Sequence, residues 1–582
     1  MFRRNNKTDL ENSTRLQILA ILSIFVVALI FIGLFNIQIL DYDKYQAQAK
    51  KQHQALRVLE PKRGRILIHD WRQNQEALYP VAINQKYFLL YAVPNEISDP
   101  GYAADQIIAL LNLDKEKEYE RLLKKLSKRD DIYEPLVNKL DEAKKTAIET
   151  LNLPGLRFEE ETWRTYPEQN TLSHITGFVG YNGDKLEGRY GLEGFFESEL
   201  AGQAGEYTFE KDASGRLIPI ADRSQSAVQD GSDLVLTIDR SIQFTACKSL
   251  KVWVQKAGGE SGSVIIVDPK TGAILAMCNY PDYNPNEYNK VEDIGVYVNN
   301  AVSTPYEPGS VFKAITMAMG LDMGKVDPLT TYNDTGVEKI AGFEIKNSDK
   351  KAHGLQTMTQ VMEESLNTGV IYVSRLVGID AFREYVNRFG FGKKTDIKLS
   401  QESVGNISSI KRNSEIFMAT ASFGQGITVT PLQMVMAFSA IANGGNLMKP
   451  YLVEKIVKAD GSEEVYKPES AGQVIKPQTA TTLSAMLASV VKYGHAKKAS
   501  VDGYYIAGKT GTAQVAGKYG GYEEGRTIHT FVGYAPVDKP RFVMLTKVDY
   551  PKNALWAESS AVPLFGEIAQ YLLNYLKVPP SF

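Results

Sequence analysis

The chain has 582 residues, of which 43% are hydrophobic and 23% are charged, so it is long enough for two or more folded domains of ordinary composition. Its 66 basic and 68 acidic side chains nearly cancel, and because no basic domain stands out we do not expect nucleic-acid binding. The cysteines Cys247 and Cys278 lack metal-ligand spacing, as do the histidines, and we expect neither a metal nor another cofactor. The two cysteines could form one bridge, but we predict two buried thiols.

The most apolar stretch near the N-terminus covers residues 16–40. Between Ile18 and Ile37 the only polar residues are Ser23 and Asn36, and there is no charge. About 25 helical residues span roughly 37 Å, enough to cross a hydrocarbon core of about 30 Å. A cleaved signal peptide would have a shorter apolar core and a small-residue cleavage site, which this stretch does not offer. We therefore predict a single transmembrane anchor rather than a buried core helix.

The short arm before this stretch is basic, with Arg3, Arg4, Lys7 and Arg15. An excess of Lys and Arg beside a transmembrane helix marks the cytoplasmic side of the membrane. We therefore predict that residues 1–15 stay in the cytoplasm and that the chain after Asp41 lies outside it.

Residues 41–230 combine two kinds of segment. Residues 102–151 are strongly helical and highly charged, and we interpret their charge runs as solvated helix faces. Residues 157–220 are rich in Gly, Tyr and Phe, which indicates short strands. A turn at 231–233 precedes a more regular strand, so we place a domain boundary near residue 230.

The C-terminal part alternates between strands and helices. Residues 263–277 predict a β-hairpin, residues 310–440 a helical middle, and residues 504–548 three further strands. An apolar helix is predicted at 561–576. This order predicts an α+β (mixed α/β) fold, in which an antiparallel sheet is flanked by helices.

The stretch that carries chemistry opens the helical middle, with the sequence EPGSVFK at residues 307–313. The residues after the Pro-Gly pair have good helix propensity, and positions three apart on a helix share a face, so Lys313 can reach Ser310. A serine beside a basic group in a low-dielectric wall suits covalent acyl transfer. The same spacing occurs at Ser348 and Lys351, but that pair lies in a polar loop with no apolar helix behind it.

Two further short motifs give this serine its context. Lys-Thr-Gly occurs at 270–272, which we interpret as a hairpin turn, and at 509–511, where it follows a strand. Ser365 and Asn367 form a Ser-x-Asn motif between them. Each motif is weak alone, but the order Ser-x-x-Lys, Ser-x-Asn, Lys-Thr-Gly is the signature of penicillin-recognising serine acyltransferases.

On these motifs the chain resembles a class B penicillin-binding protein, which is a membrane-anchored peptidoglycan D,D-transpeptidase. Further matches cover nearly the whole chain: FGQG at 423–426, Thr-Pro at 430–431, FVGYAP at 531–536, Arg-Gly at 63–64, RTYP at 164–167 and GLE at 191–193. The first pedestal motif departs from the family pattern, because HDWRQN at residues 69–74 stands where Asp-Arg-Asn-Gly is usual.

The resemblance implies a domain organisation and a location. Residues 16–40 would anchor the chain, residues 41–230 would form an elongated non-catalytic pedestal of the dimerisation type, and residues 231–582 a penicillin-binding, β-lactamase-like transpeptidase domain. The body would lie outside the bacterial plasma membrane, where it meets peptidoglycan stem peptides and β-lactams. The implied protein partners are a SEDS-family glycan polymerase and other divisome or elongasome proteins.

The resemblance also implies roles for the catalytic residues. Ser310 would attack the carbonyl between the last two D-alanines of a stem peptide, and a neutral Lys313 would take its proton. Burial and the neighbouring Lys509 would both lower the pKa of Lys313. Ser365 would relay a proton to the leaving amine, and the Asn367 amide would hold the substrate backbone and orient Lys313.

The second Lys-Thr-Gly motif would bind the substrate. Lys509 would supply positive charge, and the hydroxyls of Thr510 and Thr512, on either side of Gly511, would hold the terminal carboxylate. The backbone N–H groups of Ser310 and Thr512 would form the oxyanion hole.

Three alternatives remain at this point. A β-lactamase would need a base for its deacylating water, and Glu402, four residues before Asn406, offers a spacing that we interpret as a coincidence. A D,D-carboxypeptidase would use water as the acceptor at the same site. A β-lactam-binding scaffold or sensor would keep the pocket without transpeptidation. Within the resemblance, the short pedestal linkers and the sequence YEPG at residues 306–309 favour the division type over lateral-wall synthesis.

Overall fold

The computed structural model describes residues 6–46, 54–71, 77–183, 185–210, 224–225, 227–517 and 521–582. Arg3 and Arg4 of the basic arm and residues 72–74 after the first pedestal motif lie outside the described residues.

The described chain contains both helices and strands, with its longest run of successive helices at residues 358–442. The α-helices are Asn6–Phe35, Pro100–Leu111, Lys115–Leu126, Glu142–Glu149, Ser173–Thr176, Gly191–Phe195, Glu197–Ala201, Arg240–Ala257, Asn300–Ser303, Lys313–Asp322, Met358–Glu363, Asn367–Val377, Ile379–Arg388, Glu415–Ser422, Pro431–Ala442, Pro477–Lys492 and Ala561–Tyr575. The strands are Gln54–Leu59, Ile66–His69, Leu78–Ala92, Glu134–Leu140, Leu156–Thr165, Phe178–Asn182, Lys185–Arg189, Gly205–Glu210, Ser224–Gln225, Asp233–Asp239, Ser261–Val267, Ile274–Tyr280, Thr331–Asp334, Val337–Ile340, Phe343–Lys346, Gly354–Thr357, Asn446–Met448, Val453–Val457, Glu463–Val465, Ser470–Gln473, Ala507–Ala516, Tyr522–Ala535 and Phe542–Asp549.

The backbone forms two compact units, of which the smaller comprises Met1–Pro61 and Gly202–Asp230. Its N-terminal helix includes an apolar stretch, Thr14–Leu40, with a mean hydropathy of 3.2. The side chains of this stretch are almost all exposed, whereas a core helix would bury one face. The helix is therefore long and apolar enough to cross a membrane, as the sequence predicts. The unit also contains a three-stranded sheet, in the order Gln54–Leu59, Gly205–Glu210, Ser224–Gln225.

The larger unit comprises Lys62–Ala201 and Gly231–Phe582. One of its sheets has seven strands and combines segments from both sides of residue 230. In it, Ile66–His69 pairs in parallel with Asp233–Asp239 and antiparallel with Leu78–Ala92. Hydrogen bonds between strands thus join residues 62–201 to the C-terminal part of the chain.

The second large sheet of this unit carries part of the predicted site. Its five antiparallel strands lie in the order Ile274–Tyr280, Ser261–Val267, Phe542–Asp549, Tyr522–Ala535, Ala507–Ala516. Every residue of the central strand Phe542–Asp549 is buried, because helices pack against the sheet. The predicted antiparallel sheet flanked by helices is confirmed. Lys509 lies on the edge strand, opposite Val532 of its neighbour.

The prediction of two free cysteines is wrong. Cys247 and Cys278 form a disulfide that joins the helix Arg240–Ala257 to the strand Ile274–Tyr280, with Cα atoms 5.3 Å apart. The helix packs on that strand, and this packing brings together two residues 31 positions apart. A disulfide is stable in an oxidising compartment, which agrees with a body outside the cytoplasm.

The three pedestal motifs meet at one fully buried carboxylate, Glu193. Glu193 Oε2 accepts a hydrogen bond from Arg63 Nε at 2.7 Å. Glu193 Oε1 accepts one from Arg164 Nε at 2.7 Å and one from the Tyr166 hydroxyl at 3.2 Å. Arg164 Nη1 also donates to Asn84 Oδ1 at 3.1 Å. Each motif therefore supplies one part of a single buried ion network.

Replacing Glu193 by glutamine is expected to destabilise this unit by about 3–5 kcal/mol, because the buried Arg164 loses its anionic partner. The matched control is Glu197→Gln, since Glu197 also pairs with Arg63 but its side chain is 33% exposed. That control is expected to cost about 1 kcal/mol or less. Denaturant unfolding measures both variants, and equal losses would show that the burial of Glu193 does not matter.

Candidate active site

Ser310 lies in a single 3₁₀ turn, Gly309–Phe312, which leads directly into the α-helix Lys313–Asp322. Pro308 precedes the turn, and positions i and i+3 of a 3₁₀ helix lie almost one above the other. Ser310 and Lys313 therefore project from the same side of the chain. The Lys313 side chain is fully buried, whereas Ser310 is partly exposed.

Two glycines from distant motifs allow other segments to pack against this turn. Gly309 N–H donates to the carbonyl oxygen of Gly424 at 3.1 Å, and a Cβ atom at Gly424 would lie 2.2 Å from Gly309 O. A Cβ atom at Gly511 would lie 2.7 Å from Val311 Cγ2. The FGQG motif and the second Lys-Thr-Gly motif thus hold the turn from two sides, which explains the glycine at each position.

Ser365 contacts both lysines of the predicted site. Lys313 Nζ donates to the Ser365 carbonyl oxygen and, at 3.3 Å, to Ser365 Oγ. Lys509 Nζ donates to the same hydroxyl at 3.0 Å. Ser365 has a left-handed backbone conformation with φ of 56°, which is uncommon for serine and costs of order 1–3 kcal/mol. The strained backbone places the Ser365 hydroxyl between the two lysines and its carbonyl oxygen against Lys313.

Burial and mutual repulsion set the charge state of the two lysines. Burial, together with the neighbouring Lys509, holds the pKa of Lys313 well below its ordinary value, which is the direction the sequence predicts. Burial lowers the pKa of Lys509 to about 7, and the carboxylate of Glu558 opposes this change. Lys313 is thus the neutral amine of the pair, and Lys509 is the one that more readily holds the positive charge.

The remaining predicted residues divide into those that face the cavity and one that does not. Thr510 and Thr512 line the cavity, and the Thr512 hydroxyl also accepts a hydrogen bond from Ala557 N–H at 3.2 Å. Asn367 Nδ2 donates instead to the carbonyl oxygen of Lys346 at 2.8 Å. A neighbouring hairpin thus supplies a partner for this amide, and the roles predicted for Asn367 towards the substrate backbone and Lys313 stay predictions.

The cavity beside Ser310 has a volume of about 250 Å³. Its rim includes residues from four separate segments that sequence patterns did not assign to a site: Asn347, Ser348, Asp349, Glu364, His495, Trp556, Ala557 and Glu558. His495 Nδ1 lies 3.0 Å from Glu558 Oε1 across this rim. No sequence motif connects these segments. Of their residues, only Ser348 belonged to a motif that was considered as a candidate, the second Ser-x-x-Lys spacing.

Comparison with known proteins agrees with this geometry. The family described as "Penicillin binding protein transpeptidase domain" matches residues 262–570, and "Penicillin-binding Protein dimerisation domain" matches residues 58–236. Stage V sporulation protein D of Bacillus subtilis is 33% identical, over 97% of this chain and 86% of that protein. The chain belongs to the class B penicillin-binding proteins.

Two further similarities support this membership. Peptidoglycan D,D-transpeptidase FtsI of Escherichia coli strain K12 is 32% identical, over 75% of this chain and 71% of that protein. The crystal structure of penicillin-binding protein 3 from Mycobacterium tuberculosis in complex with aztreonam matches with a TM-score of 0.68 and 26% identity, over 90% of this chain and 98% of that one.

The carboxylate that a β-lactamase interpretation would require is used elsewhere in this penicillin-binding protein. Glu402 Oε1 accepts hydrogen bonds from the backbone N–H and the hydroxyl of Thr395, both at 2.6 Å. Glu402 is not among the residues that line the cavity of Ser310. Glu402 therefore stabilises its own loop through Thr395. This agrees with the interpretation that its spacing to Asn406 is a coincidence.

Proposed function

We propose that this class B penicillin-binding protein is a membrane-anchored peptidoglycan D,D-transpeptidase that cross-links stem peptides during cell division. The observation that carries the proposal is the placement of two buried lysines on Ser365, beside the turn that presents Ser310 to the cavity. Lys313 follows Ser310 by one helical turn, and burial holds the pKa of its amine well below the ordinary value, which suits a base for an attacking serine hydroxyl.

In the acylation step, Ser310 Oγ attacks the carbonyl carbon between the last two D-alanines of a donor stem peptide. The neutral Lys313 amine takes the hydroxyl proton as the new C–O bond forms. General-base assistance of this kind contributes typically about 10²–10⁴ in rate. The C–N bond then breaks, and D-alanine leaves after its amine receives a proton through the Ser365 hydroxyl, which contacts both lysines.

The reaction has two negative charges to bind, the terminal carboxylate of the donor peptide and the developing oxyanion. The strand Ala507–Ala516, which carries Lys509, supplies groups for both. Protonated Lys509 and the hydroxyls of Thr510 and Thr512 attract the terminal carboxylate of the donor peptide. The backbone N–H groups of Ser310 and Thr512 bind the developing oxyanion, where one such donor is typically worth about 10²–10³ in kcat. The acyl-enzyme then reacts with the side-chain amine of a neighbouring stem peptide, and Ser310 is regenerated.

The wider assignment follows the family. Residues 1–15 are a cytoplasmic tail, residues 16–40 the anchor, residues 41–230 the pedestal and residues 231–582 the transpeptidase domain. The body works outside the plasma membrane, and a SEDS-family polymerase supplies the glycan strands. Support comes from the apolar helix and from relatives whose names include D,D-transpeptidase.

Two measurements with a Ser310→Ala control test the proposal. The purified protein is given glycan strands with pentapeptide stems, and the products are separated into cross-linked dimers and free tetrapeptides. Dimers that depend on Ser310 are expected, whereas tetrapeptides alone would indicate a D,D-carboxypeptidase. In cells without another copy, Ser310→Ala is expected to block division, and normal growth would indicate a scaffold.

A further inference from the structure

The helix Asn367–Val377 begins two residues after Ser365 and lacks a cap from its own sequence. Leu366 occupies the N-cap position and has no side-chain acceptor. The first N–H groups of a helix need such an acceptor, and serine, threonine, aspartate or asparagine usually provides it. Here the acceptor comes from another segment: Asn347 Oδ1 accepts from Asn367 N–H at 2.9 Å and from Thr368 N–H at 3.3 Å.

Asn347 is in turn held by a buried carboxylate, Asp334. Asn347 Nδ2 donates to Asp334 Oδ2 at 2.9 Å, and both side chains belong to residues only 2% exposed. Asp334 also accepts hydrogen bonds from the Thr368 hydroxyl at 2.7 Å and from the backbone N–H of His353 at 2.9 Å. Burial raises the pKa of Asp334, but these hydrogen bonds outweigh it and keep the carboxyl ionised.

This hydrogen-bond network reaches Asn367, two residues after Ser365. Asn367 Nδ2 donates to the carbonyl oxygen of Lys346, the residue before Asn347. Two neighbouring residues of one segment therefore form hydrogen bonds with the first residue of the helix. Ser365 can keep its left-handed conformation only if the residues that follow it are fixed. A loosened helix start would move the Ser365 hydroxyl away from Lys313 and Lys509.

We propose that Asp334 and Asn347 are positioning residues of the acyl-transfer reaction. The carboxylate of Asp334 orients the Asn347 amide, the amide oxygen caps the helix Asn367–Val377, and the capped helix holds Ser365 against the two lysines. Neither residue takes part in the chemistry. The inference rests on the proposed function, because it assigns these residues to the acylation of Ser310.

An exchange of the two side chains tests this inference. Asn347→Asp alone places two carboxylates in contact, and Asp334→Asn alone removes the charge that orients Asn347. Either change is expected to lower the first-order rate constant for acylation by a fluorescent penicillin about 10- to 100-fold. The double variant Asp334→Asn/Asn347→Asp restores one carboxylate and one amide with a helix-capping oxygen, and is expected to recover to within about fivefold of the unmodified protein.

The readout separates positioning from a general loss of structure. Asp334→Asn leaves every residue that lines the cavity unchanged, so its dissociation constant for the penicillin is expected to change less than about threefold. Asp327→Asn is the matched control, because Asp327 caps an exposed turn through Leu329 and Thr330 N–H, and it is expected to acylate normally. If one of these substitutions prevents folding, Asn347→Ser removes the same hydrogen bonds of the Asn347 amide and is expected to slow acylation equally.

Two results would overturn the inference while the proposed function stands. In the first, both single variants acylate at the unmodified rate. In the second, the double variant is no faster than Asn347→Asp. Failure of the proposed function would look different, because the unmodified protein itself would then form no adduct on Ser310.

Discussion

Replacing Lys313 by methionine is expected to slow the acylation of Ser310 strongly and to stabilise the folded protein. Acylation loses its general base, so its rate constant is expected to fall by about 10²–10⁴. The free energy of unfolding rises because methionine fills the same fully buried position, where the lysine can be accommodated only at the cost of its charge. A gain of about 0.5–2 kcal/mol is typical when a functional site is relieved in this way.

The stabilisation by Lys313→Met is expected to depend on pH. The pKa of Lys313 lies well below its ordinary value of 10.5 in the folded state, so at pH values between the two pKa values the unfolded chain binds more protons than the folded one. The free energy of unfolding of the unmodified protein therefore rises with pH up to about 10.5, where the unfolded lysine also becomes neutral. The advantage of the methionine variant should shrink over the same interval.

Urea unfolding at several pH values, together with penicillin acylation, measures both effects of this variant. The control is Lys325→Met, because Lys325 is exposed and lies just beyond the same helix. It is expected to change neither acylation nor the pH dependence. Acylation at the unmodified rate by Lys313→Met would remove this lysine from the mechanism.

Replacing Gly424 by alanine is expected to displace the turn that carries Ser310. The new Cβ atom would lie 2.2 Å from the carbonyl oxygen of Gly309, and Gly424 has a φ of 79° that alanine rarely adopts. A displacement of about 1 Å at a reacting group costs on the order of 10²-fold in rate. We expect a loss of acylation of that size, with a destabilisation of about 1–3 kcal/mol.

The control for Gly424→Ala separates backbone strain from the collision. Gly426→Ala meets a similar φ of 72°, but its Cβ atom would come no closer than 3.3 Å, to the hydroxyl of Thr420. It should therefore lose stability while its acylation rate falls much less. Equal losses in acylation by the two variants would mean that contact with Gly309 does not position Ser310.

The local part of the site could be predicted from the sequence. Ser310 and Lys313 lie three residues apart, and a helical turn places them on the same side whatever the rest of the chain does. The second Lys-Thr-Gly motif was separated from the first by its strand context. Its strand proved to be the edge of the five-stranded sheet.

The long-range part of the site could not be predicted in this way. Asp334 and Asn347 lie before Ser365 in the sequence, and their role depends on hairpins whose pairing no local pattern determines. The same holds for the Asn367 amide, whose partner is a backbone carbonyl oxygen of one such hairpin. The Cys247–Cys278 disulfide was mispredicted because it depends on a helix packing onto a strand.

The intact mass of the protein after incubation with benzylpenicillin shows whether Ser310 is the residue that is acylated. We expect a gain of one penicillin per chain, a stable adduct on the peptide that contains Ser310, and no adduct in Ser310→Ala. Release of the adduct within seconds would contradict the account and favour a β-lactamase. An adduct on any other residue would contradict the assignment of Ser310 as the nucleophile.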